Sequence, residues 1–109
     1  MALRSWIPRR SKRADPKAFF HLHLISDSTG ETLTTAARAA AAQYPKWQAV
    51  EHLTPLVRSE EKLDKALSGL DDQPGLVLYT MIDEALEKRL LARCQALAVP
   101  ALNLLAPVI

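Results

Sequence analysis

Phe19-Phe20-His21-Leu22-His23-Leu24-Ile25-Ser26-Asp27-Ser28-Thr29-Gly30-Glu31 is the stretch on which the fold turns. Its first seven residues alternate between two apolar faces, with Phe20, Leu22 and Leu24 on one and Phe19, His21, His23 and Ile25 on the other. A strand apolar on both faces belongs inside a parallel sheet, where helices cover it from above and below. Ser26 to Gly30 reads as a turn. A helix is predicted from about Glu31 to Tyr44, with Leu33, Ala36, Ala37, Ala40 and Tyr44 at helical spacing and Pro45 as its stop. Alanines on that helix let it lie close to the sheet.

Outward from this unit the pattern repeats. A second strand is predicted over Gln48–Thr54, anchored by Val50 and Leu53, with Pro55 beyond it. Ser59 then caps a second helix whose apolar line is Leu63, Ala66, Leu67 and Leu70. Asp71 to Gly75 is a turn by composition, and Leu76–Tyr79 is a third strand. Asp83 or Thr80 opens a third helix with Ile82, Leu86, Leu90 and Leu97 inward, and Val99–Leu105 is a fourth, edge strand. Right-handed crossovers make this β-α-β-α-β-α-β order an α/β fold, an open doubly wound parallel sheet of about four strands. The expected spatial order is the flavodoxin- or Rossmann-like 2-1-3-4. Four strands are few for such a sheet, and Asn103 is the only polar side chain in residues 100–109. Both features predict an incomplete domain, the N-terminal α/β part (residues 19–109) of a larger protein.

Hydrophobic residues make up 49% and charged residues 24% of the 109, the balance of an ordinary globular chain. No apolar run is long enough to span a bilayer, and no secretory signal follows the basic start. The single cysteine, Cys94, excludes an internal disulfide and fits a reducing compartment, so a cytoplasmic location is expected. The net charge of +2 is unevenly spread. Residues 1–17 carry six basic residues against Asp15, a net +5, and the remainder carries eight basic and eleven acidic residues, a net −3. The basic start (residues 1–18) is read as a disordered extension; with Trp6 as its one aromatic residue it does not argue for nucleic acid.

Ligands of open parallel sheets bind beyond the carboxyl ends of the strands, near the switch in strand order. Three predicted loops lie there. The first, with Ser26, Asp27, Ser28, Thr29, Gly30 and Glu31, sets hydroxyls and free amides at a helix N-terminus, where the dipole favours an anion. Ser28-x-x-Glu31 is equally a capping box, which accounts for both residues without a ligand. Arg58 stands beside Ser59 at the second helix, where it can clamp a phosphate or lie solvated. Thr80 and Asp83 complete the set of phosphate or nucleotide candidates, with helix entry and capping as the simpler reading. His21, His23 and His52 come together on neighbouring strands, but away from the ligand-binding edge and without an accompanying carboxylate or cysteine. Packed imidazoles are therefore expected rather than a metal site. Cys94, among Leu90, Leu91 and Leu97, reads as a buried, inert thiol. No G-x-x-x-x-G-K-[ST] or G-x-G-x-x-G pattern occurs, so no self-sufficient nucleotide fingerprint is present, and no catalytic residue is assigned.

Three stretches carry a resemblance: His23–Thr32, Thr54–Lys62, and Leu78–Leu86 continuing to Val99–Pro107. Together they resemble the front half of the bifunctional regulatory proteins of pyruvate, phosphate dikinase and phosphoenolpyruvate synthase, over about residues 20–109. The resemblance implies a serine/threonine kinase that phosphorylates a threonine of its target with ADP as donor. It also implies a phosphorylase that removes the phosphate with inorganic phosphate, releasing pyrophosphate. The implied partner is one of those two enzymes, and a homodimer is admitted; neither nucleic acid nor membrane is implied. The family's phosphate loop lies downstream of the region shared here, so the chain alone is expected to be inactive. Asn103 stands where many members carry an aspartate. The alternative readings are a stand-alone flavodoxin-like module binding an anion at Ser28–Gly30, and a non-functional remnant.

Overall fold

The computed structural model describes residues 9–10 and 18–105. The extension predicted for residues 1–18 lies outside them apart from Arg9–Arg10 and Ala18. Arg9–Arg10 pairs antiparallel with Ala18 and Phe19.

Four strands run parallel: β1 (Ala18–Ser26), β2 (Trp47–Thr54), β3 (Gly75–Thr80) and β4 (Ala101–Asn103). Their order is β2-β1-β3-β4, with β1 between β2 and β3, as the doubly apolar Phe19–Ile25 stretch predicts. Helix α1 (Glu31–Ala41) covers one face, and α2 (Glu60–Leu67) and α3 (Glu84–Ala96) cover the other. On the α1 side Leu22 and Leu24 of β1 pack with Leu78 against Leu33 and Ala37. On the opposite side Ile25, Val77 and Tyr79 pack against Leu63, Leu67, Leu86 and Leu90. Each fully buried leucine or isoleucine here contributes about 2 kcal/mol of transfer free energy, which holds both helical layers to the sheet.

The register depends on one glycine. A Cβ at Gly75 would overlap the carbonyl oxygen of His21, so β3 enters beside β1 only with no side chain at that position. His21 pairs with Gly75, and the ladder then runs to Ser26 opposite Thr80.

Four local expectations are corrected. Helix α1 stops at Ala41, not Tyr44. Gln43 and Tyr44 donate to Ala40 and Ala41, tightening the chain into a turn that leaves Tyr44 63% exposed. Ile82 precedes the N-cap of α3 and is 79% exposed instead of inward, because helical spacing does not extend back through an extended cap residue. Leu53 is not a core anchor. It is 45% exposed and lies against Gly30 at the start of α1. The fourth strand is confined to Ala101–Asn103 instead of Val99–Leu105, because the Val99 amide is spent on Cys94 O at the close of α3 and the Leu105 amide turns back to Asn103 Oδ1.

Candidate functional site

The carboxyl ends of β1, β2 and β3 bring three loops together. Ser26 ends β1 fully buried, and its Oγ accepts from Thr80 Oγ1 (3.0 Å) and from the Ser28 amide (3.0 Å). It also pairs with Ser28 Oγ at 3.2 Å. The Asp27 amide donates to Thr80 O (3.1 Å), and the Leu56 and Val57 amides donate to Ser28 O and Ser26 O (2.8 and 2.9 Å). Ser26 and Thr80 thus tie the loops from beneath, with their hydroxyls already engaged.

Above this knot is a cleft of about 550 Å³. Its polar wall is Asp27, Ser28, Arg58 and Asp83, and Ile82 and Leu86 form an apolar side. Arg58 Nε donates to Asp27 O (2.9 Å), which turns the guanidinium against the first loop. One Asp27 carboxylate oxygen accepts from the Ile82 amide (3.0 Å), and one Asp83 oxygen accepts from the Leu86 amide (3.0 Å) as the N-cap of α3. The arrangement joins a cation, hydroxyls and two carboxylates with fixed orientations at the switch in strand order, the place where such sheets hold ligands.

The capping box read at Ser28-x-x-Glu31 does not form. Gly30 is the N-cap of α1, with φ 85° and no side-chain cap. Ser28 lies too far back in the turn and is bonded to Ser26 instead. The first amides of α1 therefore carry no side-chain acceptor, and Glu31 and Thr29 are exposed beside them. Ser59 caps α2 by accepting from the Lys62 amide (3.2 Å). Of the nine candidates, Asp27, Ser28, Arg58 and Asp83 line the cleft. Thr29, Gly30 and Glu31 form the entry of α1, and Ser26 and Thr80 lie below.

Two features escaped the sequence reading. Leu56 holds φ 57°, a left-handed conformation uncommon outside glycine, and this bends the second loop over the first. No residue-type signal announces it. The second is a polar cluster at the far side of the same strand ends: Tyr79 OH and Asn103 Nδ2 both donate to Glu87 Oε2 (2.6 and 2.9 Å). Burial, then the bond to Glu87, pushes the Tyr79 phenol well above its ordinary value. An aspartate at position 103 would face Glu87 with like charge.

The imidazoles pack as a group. His23 and His52 stack with ring centres 4.9 Å apart, and His21 Nδ1 lies 2.9 Å from His52 Nε2. His23 Nε2 donates to Gln73 O (2.7 Å). Among the described residues no group of three or more His, Cys, Asp or Glu side chains has the arrangement to hold a metal ion. Burial pushes the Cys94 thiol up to about 11, so it is protonated at neutral pH. No helix among the described residues is long and apolar enough to cross a membrane.

Comparison with known proteins adds the following. A family model described as Kinase/pyrophosphorylase matches residues 22–109. A putative pyruvate, phosphate dikinase regulatory protein of Chelativorans sp. is 53% identical over 94 residues, covering 86% of this chain and 35% of the relative. Relatives with the same description from Brucella anthropi and Bradyrhizobium sp. are 51% and 52% identical, with 34% and 32% of their lengths covered. The chain spans about one third of the length of these curated relatives.

Proposed function

The chain belongs to the kinase/pyrophosphorylase family, and on that basis we propose that it is the front domain of a cytoplasmic regulator of pyruvate, phosphate dikinase or phosphoenolpyruvate synthase. In this reading the whole protein phosphorylates a target threonine with ADP and reverses the modification with inorganic phosphate. The 109 residues hold a phosphate group of donor or acceptor without completing catalysis themselves. The observation that carries this is the cleft at the strand ends, inside the segment that matches the family. Arg58, fixed by its bond to Asp27 O, supplies charge, and Ser28 and the uncapped α1 amides supply donors. Asp27 and Asp83 hold the rim of the third loop in place.

Titration of the chain with inorganic phosphate and with ADP, followed by amide chemical shifts, tests this. Shifts should concentrate at Ser28–Leu33 and Arg58, and Arg58→Ala should weaken binding by about tenfold, the worth of one charge-assisted hydrogen bond. Shifts elsewhere, or affinity unchanged by Arg58→Ala, would sink the site. A second reading, an anion-binding module without transfer, rests on the uncapped α1 amides beside Arg58, which can hold an anion unaided. The chain completed with the remainder of a relative, and carrying no phosphoryl transfer from ADP to the dikinase while still binding phosphate, would select it.

A further inference from the structure

The two edges of the sheet differ. On β2 the half-buried Glu51 is bound by Arg38 of α1 through two contacts of 3.2 Å, a charged device that blunts an edge. Strand β4 carries no charge: it is Ala101-Leu102-Asn103. Leu102 is 57% exposed, and Leu91 of α3 and Leu105 are exposed as well. Beside α3 runs a groove of about 430 Å³, lined by Leu91, Cys94, Gln95, Ala98, Val99, Pro100 and Ala101. Its lining is mainly apolar, with Gln95 as the polar side chain.

The backbone of β4 is half used. Pro100 O accepts from Val77 and the Leu104 amide donates to Tyr79 O, with Leu102 opposite Leu78 between them. In a parallel ladder alternate residues bond to one neighbour, so Ala101 and Asn103 turn their amides and carbonyls outward. Among the described residues the strand order ends there.

We propose that this edge and groove seat one further strand–helix unit, drawn from the family polypeptide beyond the segment this chain shares. Handedness fixes the arrangement. A right-handed crossover from β4 to a strand on its outer side places the connecting helix on the face of α3, which is the face of the groove. The same rule already holds for α3 itself, between β3 and β4. The helix lays small and aliphatic side chains against Leu91 and Ala98, and the strand pairs with Ala101 and Asn103. Such a unit needs about 30 residues, and the relatives carry roughly twice the matched length outside the matched part.

The test compares the 109-residue chain with a chimera in which the remainder of the Chelativorans relative follows Ile109. Amide hydrogen exchange at Ala101 and Asn103 should be fast in the chain and slowed about 100-fold or more in the chimera. Leu91→Lys should leave the melting temperature of the chain unchanged and lower that of the chimera by several degrees. Equal exchange in both proteins, or a chimera that fails to fold where the chain folds, overturns the proposal. Concentration-dependent protection in the chain, with dimers in sedimentation, also overturns it by identifying the occupant as a second copy.

Discussion

At the scale of single residues the fold hangs on contacts that leave no room for compromise. Gly75→Ala drives a methyl group into the backbone of His21, and neither strand can retreat without breaking the β1–β3 ladder. A loss of about 3 kcal/mol or more is expected, read as the shift in the urea midpoint. The imidazoles give a pH dependence. Burial is the main reason that the His23 pKa is lowered from 6.5, and the nearby His52 and His21 add to it. Its remaining partner, Gln73 O, opposes the shift. With the folded value below the unfolded one, the unfolded chain takes up the proton first. Stability is therefore full above about pH 6.5 and falls as the pH drops below it. His23→Gln, which retains a donor for Gln73 O, should flatten the fall in denaturation midpoint between pH 8 and pH 5.5; an unchanged slope would assign it to other groups.

Elements are where the sequence was most and least legible. The helix start at Ser59, and Asp83 as one of two candidates with Thr80, could be read because a short polar side chain before an apolar run has one favourable use, and Ser59 and Asp83 both accept the expected amide. The start of α1 misled for the same reason. Ser28 and Glu31 match a capping pattern, but the buried Ser26 hydroxyl competes for Ser28 and leaves Gly30 at the cap. Strand order was legible because alternation and crossover handedness are global constraints. The exposure of Tyr44 and Ile82 was not, since both lie two or three residues beyond a helix end that spacing alone does not locate. Of the cleft, its location was legible from topology. The bend at Leu56 that shapes it was not, because it comes from tertiary bonds to Ser26 and Ser28. The end of α3 yields a prediction of its own. Val99 donates to Cys94 O and Ala98 to Gln95 O, closing the helix with Ala98 at φ 57°. Glycine fits that conformation without the Cβ penalty. Ala98→Gly should raise stability by about 1 kcal/mol in chemical denaturation, part of the relief being offset by the freer unfolded chain. A loss would mean that the alanine methyl matters more than the backbone strain.

Across the whole molecule, charge is unevenly spread along the sequence. The +2 net charge is the sum of +5 in residues 1–17 and −3 in the rest, so the net charge of residues 18–109 does not itself attract an anion. A phosphate held at the strand ends must instead be bound by local geometry: one guanidinium against Asp27 O and the amides at the α1 entry. The two origins respond oppositely to substitution. Replacing Arg9 and Arg10 together by glutamine should leave phosphate affinity within about twofold, since they pair with Ala18 and Phe19 at the opposite end of β1 from the cleft, and screening at physiological salt reaches only about 8 Å. Arg58→Gln alone should cost about tenfold. Calorimetric titration of both variants against the unmodified chain checks this. The reverse ranking would place anion binding in the basic start and leave the cleft at the strand ends as a structural junction of three loops.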